Sequence, residues 1–289
     1  EWVEPLRINY RGYDVWELPP NGQGLVVLMA LNILRNYDDL AVDHGETYHR
    51  QIEAIKLAFA DGKAYITDPN ELPVNVEDLL SEEYGRKRQS LIGAAALEPT
   101  PGQFPQGGTV YLAAADNQGN MVSYIQSNYM GFGSGIVVPE TGIALQNRGN
   151  NFSLDSKHPN CLKPGKRTYH TIIPGFLSKD GEPVGPFGVM GAFMQPQGHV
   201  QVVMNTIDFK LNPQAALDRP RWQWIEGRQV ELESSVPNHI AQALARKGHQ
   251  VRVPVTSGGF GRGQIIWRMP NGVLAGGTEP RTDGTIAAW

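Results

Sequence analysis

Apolar spacing defines most elements of this chain. From Gly24 to Tyr37, the residues Leu25, Leu28, Leu31, Ile33 and Leu34 recur at helical intervals. A longer helix is predicted from Glu46 to Tyr65, with Ile52, Ile55, Leu57 and Phe59 on its apolar side. Before them, residues 1–20 are short and extended in character. Tyr13–Leu18 alternates loosely up to Pro19-Pro20-Asn21-Gly22, a turn signal. A third helix is predicted from Ser81 to Ile92. Periodicity then stops: Gly93–Gly108 is rich in Ala, Pro, Gly, Gln and Thr, the composition of a linker.

Beyond Gly108 the pattern changes. Thr109–Asp116 and Asn120–Asn128 read as two strands around a glycine-containing turn. Short strands are predicted at Ile136–Val138, Gly142–Leu145, Tyr169–Leu177, Pro186–Met190, Gln229–Leu232, Val251–Pro254, Gln264–Met269 and Val273–Gly276. Asn147–Arg167 is a polar loop. Met194–Phe209, Pro213–Asp218 and Pro237–Lys247 read as helices, the last stopped by Gly248. Helices, a linker, paired strands and then mixed elements suggest a layered αβ protein rather than a βαβ repeat.

Composition narrows the function. The 289 residues suffice for one large domain or two smaller ones. Twenty-five Lys and Arg against 29 Asp and Glu give a net charge of −4, and no basic run appears, so nucleic acid is not an expected partner. No apolar stretch approaches the ~20 residues of a membrane span. The lone Cys161 excludes an internal disulfide and a CxxC metal site, and reads as a passive loop thiol. The chain opens without Met and shows no signal peptide, as a fragment or processed form would.

The sharpest chemical candidate is Gly107-Gly108-Thr109. A threonine hydroxyl is a weak nucleophile until a base takes its proton. The threonine's own α-amine, which titrates near neutrality, can be that base once the bond before it is cut. Glycine at the preceding position permits close approach of the hydroxyl to the carbonyl. The plain reading of the same residues is a loop entering a strand. Other signals are weaker. Gly258–Gly263 lacks a phosphate-loop pattern and reads as a mobile turn. His44 and His49 lack a metal-binding frame and read as surface or helix-flank residues. Asp38, Asp39, Asp43 and Glu46 read as a solvated helix end. No metal or organic cofactor is called for.

Longer motifs carry a resemblance. Gly108-Thr109-Val110-Tyr111, Asp116–Ser123, Gln126–Gly135 and Gly142–Gly149 resemble the γ-glutamyltranspeptidase family. Glu17–Gly24, Glu53–Asp61, His158-Pro159-Asn160, Pro164–Arg167, Pro220-Arg221-Trp222 and Glu279–Gly284 fit the same pattern, so the likeness covers nearly the whole chain. It implies the N-terminal nucleophile hydrolase fold, α+β, with two stacked antiparallel sheets between helical layers (αββα). It also implies a precursor that cuts itself between Gly108 and Thr109. Residues 1–108 would then be the C-terminal part of a large subunit, with its N-terminal part absent from this chain. Residues 109–289 would be the small subunit, paired with the large one.

The resemblance also assigns roles. Thr109 is the nucleophile and Ser127 a hydroxyl beside its amine. Tyr129 falls where an Asn or Tyr lies near the substrate. Gly191 and Ala192 fall at a Gly-Gly pair whose N–H groups form the oxyanion hole. His170 and Thr171 replace the Ser-Ser pair that contacts the substrate carboxylate. Arg148 and Asn151 replace the Gln and Asp that grip its α-amino group. Val110 stands where a second threonine is common. The family's carboxylate-binding arginine lies in the N-terminal part. These departures resemble an acylase-like branch, with glutathione hydrolase-like proteins and cephalosporin acylases. Ser153–Arg167 is short where many transpeptidases carry a lid, so an open pocket at Thr109 is expected. The implied substrate is a small γ-glutamyl-type amide, with a glutaryl or cephalosporin-type amide as the alternative. Hydrolysis is favoured over transfer, and an inactive scaffold is the reading from another class.

Overall fold

The computed structural model describes residues 2–99, 108–256 and 258–289. Its centre is an antiparallel sheet of six strands in the order β1-β2-β5-β6-β10-β11. These are β1 (Leu6–Tyr10), β2 (Tyr13–Glu17), β5 (Gly175–Lys179), β6 (Glu182–Met190), β10 (Arg262–Arg268) and β11 (Leu274–Thr278). One face carries α1 (Gly24–Leu34), α2 (Gly45–Tyr65) and α5 (Met194–Ile207). The predicted spacing explains α2, whose Ile52, Ile55 and Phe59 are fully buried. Helix α1 is buried along its whole length, so it fills the layer between sheet and α2 rather than lying on a surface.

The opposite face carries the hairpin β3 (Gly108–Ala115) and β4 (Met121–Tyr129), both as expected. Strand β6 shows how the two faces are divided. Gly198 of α5 lies so close to Val189 that an added Cβ would come within 2.6 Å of its side chain. The next residue back, Gly188, faces the other way, and a Cβ there would meet the Tyr111 ring at 2.4 Å. Glycine at 188 thus lets the hairpin lie directly on the sheet. One helical layer, the main sheet and the hairpin make three of the four expected layers. The outer face of the hairpin shows Val110, Leu112, Val122 and Tyr124, all exposed.

The helix predicted from Ser81 to Ile92 is α4 (Glu82–Gln89), and a further short helix, α3 (Val76–Leu80), precedes it. The hydroxyl of Ser81 caps α4 by accepting from the Tyr84 N–H. Helix α6 (Pro213–Asp218) packs on β10 and β11, and α7 (Asn238–Arg246) on α2. A second small sheet, β7 (Trp222–Glu226), β8 (Gln229–Leu232) and β9 (Gln250–Arg252), contains a strand that the sequence reading missed, β7.

Other expectations need correction. The strands predicted at Ile136–Val138 and Gly142–Leu145 shrink to one bridge, Val137 with Ala144. The strand predicted from Tyr169 starts only at Gly175, because Gly22 and Gln23 take the backbone of His170 instead. The turn at Gly258–Gly263 is packed rather than loose: Phe260 is 1% exposed, and the Arg221 guanidinium donates to the Phe260 and Gly261 carbonyls. Residues 100–107 of the predicted linker lie outside the described residues. No helix among the described residues is long and apolar enough to cross a membrane.

Candidate active site

The ladder between β3 and β4 is irregular at one point. Gly108 pairs with Tyr129 and Val110 with Gln126, so Thr109 falls in a bulge with no Cα partner. The bulge re-aims its side chain. Thr109 Oγ1 donates to Ser127 Oγ at 3.1 Å, and Ser127 Oγ also accepts from the Tyr129 N–H at 2.8 Å. Ser127 is thus held from the backbone side while it holds the threonine hydroxyl. Thr109 is 7% exposed in the uncut chain. Gly108 continues the strand in this uncut chain, and the Thr109 hydroxyl is turned onto β4.

Arg148 opens a short 3-10 turn, Arg148–Asn151. Its Nη1 donates to the Ser127 carbonyl at 3.0 Å, and its guanidinium lies 5.5 Å from the centroid of the Tyr129 ring. Thr109, Ser127, Tyr129 and Arg148 therefore form one contiguous group. Tyr129 has a φ of 79°, a conformation that costs a non-glycine residue, and its ring is buried. Burial raises its phenol above the usual range, and Arg148 opposes that.

The remaining recognition candidates are Asn151, inside the polar loop, and His170 and Thr171 just after it. Asn151 is spent on scaffold: its Nδ2 donates to the Tyr169 carbonyl at 3.0 Å. His170 follows. Burial, and then the charge of Arg148, depress its pKa to about 4, so the ring is neutral at ordinary pH. Its Nδ1 accepts from the Ile172 N–H at 3.4 Å, which leaves the proton on Nε2. Thr171 is buried, with no partner for its hydroxyl.

Gly191 and Ala192 lie between β6 and α5, with φ of 140° and 51°. Ala192 accepts a left-handed backbone where glycine is the residue without strain. Neither N–H donates to a backbone acceptor among the described residues. Both precede the N-terminus of α5, where the helix's free N–H groups add positive potential. A residue missed by sequence reasoning fixes this turn. Gln23 is fully buried, and its Nε2 donates to the Ala192 carbonyl at 2.9 Å and to the Thr171 carbonyl at 2.6 Å. It therefore positions the turn and the 169–172 segment together. Its signal was present only as one letter in Glu17–Gly24.

A second cluster lies elsewhere. His49, read as a surface or flank residue, is fully buried with Glu53 and His249. Their ligand atoms lie within 4.8 Å of one another, a spacing that could hold a cation. The bonding favours another role. His49 Nε2 donates to the Gly93 carbonyl at 2.9 Å, so its Nδ1 accepts from His249 Nε2 at 2.8 Å. The Lys56 ammonium donates to Glu53 Oε1 at 2.7 Å and balances its charge. Glu53 Oε2 accepts from the Leu97 N–H. The cluster fastens Gly93–Leu97 to α2.

With this geometry in view, the comparisons are specific. The gamma-glutamyltranspeptidase family profile matches residues 1–289. The glutathione hydrolase-like YwrD proenzyme of Bacillus subtilis is 39% identical over 98% of this chain and 55% of its own length. The oxamate amidohydrolase proenzyme of Klebsiella pneumoniae is 38% identical over 99% of the chain and 55% of its own length. A crystal structure of cephalosporin acylase from Bacillus halodurans superposes with a TM-score of 0.95 at 67% identity. That match covers 100% of this chain and 53% of the acylase. The chain thus spans about half the length of the relatives it matches.

Proposed function

Because the chain belongs to the gamma-glutamyltranspeptidase family, whose fold is the αββα N-terminal nucleophile sandwich, we propose that it is the catalytic portion of a self-processing amide hydrolase. One observation carries the reading: Thr109 lies in a strand bulge with its hydroxyl bonded to Ser127. Scission between Gly108 and Thr109 would divide the chain into residues 1–108 and 109–289, which stay paired. It would also release the Thr109 α-amine beside its own hydroxyl.

The steps follow from those groups. The amine takes the hydroxyl proton as Oγ1 attacks the amide carbonyl. The carbonyl oxygen becomes an oxyanion, held by the Gly191 and Ala192 N–H groups. The C–N bond then breaks, the proton passes to the leaving amine, and an acyl ester remains on Thr109. Water, or an amino-acid acceptor, attacks that ester and restores the threonine. Ser127 orients Oγ1 throughout. The proenzyme names of the relatives support the scission step.

For the substrate we propose an amide of the γ-glutamyl type, supported by the glutathione hydrolase-like relative. The second reading is a glutaryl or cephalosporin-type amide, supported by the 67% identical acylase and by Arg148 and Asn151 at the recognition positions. Intact mass under denaturing conditions tests the mechanism. The wild-type chain should yield two fragments meeting at Gly108–Thr109, and Thr109→Ala a single uncut chain without turnover. Scission at the same bond in Thr109→Ala would sink the proposal.

A further inference from the structure

Among the described residues, Arg148 is an anomaly. Its side chain is 99% removed from solvent, yet only Nη1 has a hydrogen-bond partner. Nε and Nη2 are buried and unpartnered. No carboxylate among the described residues pairs with it; the one charged or ionisable neighbour that steadies it is the Tyr129 ring. A buried guanidinium is normally paired, because leaving water without a counter-charge is costly. The neighbours deepen the contrast. The Tyr129 hydroxyl and the Thr171 hydroxyl are also buried without partners. His170 is neutral with its proton on Nε2, a further donor. The group is donor-rich and contains no acid.

We propose that Arg148 is the receptor for a carboxylate carried by the acyl part of the substrate. The favoured substrates are then acyl amides whose acyl chain ends in a carboxylate and bears no ammonium there. This rests on the amide-hydrolase reading and takes its second substrate class, the glutaryl type, over the γ-glutamyl type. The logic is charge. Beside Ser127 and Tyr129, next to Thr109, this chain presents a cation, and its Asn151 is committed to the Tyr169 carbonyl. An ammonium entering here would meet like charge, whereas a carboxylate would meet an unfilled fork of N–H donors.

The test compares four p-nitroanilides on the processed protein: glutaryl, succinyl, γ-glutamyl and butyryl. Wild type should favour glutaryl or succinyl over both others. Arg148→Gln should lower kcat/KM for the carboxylate-bearing acyl group about 10- to 100-fold, mainly through KM, as expected for losing a charge-assisted contact. The loss should be markedly greater for the carboxylate-bearing acyl groups than for butyryl, and Arg148→Lys should restore part of that difference. An equal fall on all four substrates would show a structural role and overturn the proposal, as would a wild-type preference for γ-glutamyl. Binding is read separately, without turnover: glutarate should raise the melting temperature of wild type and leave that of Arg148→Gln unmoved. Equal shifts would also overturn it. Absent hydrolysis of every anilide would count against the amide-hydrolase reading instead, while the glutarate shift still decides the role of Arg148.

Discussion

Arg221 and Arg148 are equally hidden from water, at 2% and 1% exposure, yet the chain treats them in opposite ways. Arg221 donates to the Phe260 and Gly261 carbonyls and to Glu279 Oε2 at 2.8 Å. Glu279 in turn accepts from the Gly263 N–H and from Arg281, and Arg281 pairs with Glu233. Every charge in that network faces an opposite one. Arg148 has a single carbonyl. The chain can satisfy a buried guanidinium in full, so the solitude of Arg148 marks a place where folding stability is not what the residue serves. The carbonyls clamped by Arg221 hold Gly261, whose Cα lies 3.2 Å from where a Cβ on Gly191 would be. The satisfied network thus backs the Gly191–Ala192 turn, the proposed oxyanion hole, and the unsatisfied arginine lies beside Ser127 and Tyr129.

The strongest way to break the comparison is to unbalance the satisfied region. Glu279→Ala would leave Arg221 buried without its anion and free the Gly263 N–H. The expected cost is about 3–5 kcal/mol, the range for stripping one partner from a buried pair. Urea unfolding of the Thr109→Ala background, which stays one chain, measures it. A loss under about 1 kcal/mol would mean that Arg221 is as unsupported as Arg148, and the contrast would dissolve.

The His49–His249 pair offers an intermediate case, a buried site that avoids the problem by staying neutral. Burial, followed by the charge of Lys56, depresses the His249 pKa to about 3. Its unfolded value is near 6.5. Between those values the unfolded chain binds more protons, so stability is full above about pH 6.5 and is lost as pH falls toward 3. At about 1.4 kcal/mol per unit, His249 removes at most about 3 kcal/mol by pH 4.5. Urea midpoints at pH 7.5 and 4.5 should therefore diverge more in wild type than in His249→Phe. Equal pH dependence in the two would locate the acid sensitivity elsewhere. A chain that loosened here would release Gly93–Leu97, the stretch that His49, Glu53 and Lys56 hold.

Local pattern made the scaffold legible. Helices α1 and α2 and the hairpin β3–β4 came directly from apolar spacing and turn residues, although α1 is buried on every side. Strand β7 escaped, since only Trp222 and Trp224 mark its inward face across five residues. The paired strands predicted around Ile136 and Ile143 failed because no further strand among the described residues completes their ladder. Thr109 as proposed nucleophile, with Ser127 beside it, was legible only through family resemblance; spacing alone left Thr109 a strand-opening residue. Gln23 was not legible, because its two carbonyl partners lie 148 and 169 residues away. The isolation of Arg148 was hidden for the same reason. A sequence displays a charge, whereas the absence of a counter-charge is a property of the folded surroundings.

The smallest expected effect is the most discriminating one for that isolation. Arg148→Met keeps length and fills the site without a charge. A partnered buried cation cannot be replaced this way without leaving its anion stranded, but Arg148 has none. The substitution gives up one hydrogen bond to the Ser127 carbonyl, about 1 kcal/mol. It also removes the desolvation cost of the guanidinium, which is of similar or larger size. Stability should therefore stay within about 1 kcal/mol of wild type or rise, measured by urea unfolding in the same Thr109→Ala background. A loss above about 2 kcal/mol would show that Arg148 holds Ser127 and Tyr129 in place for the fold itself. The two buried arginines would then differ only in how many bonds they make, and not in what those bonds are for.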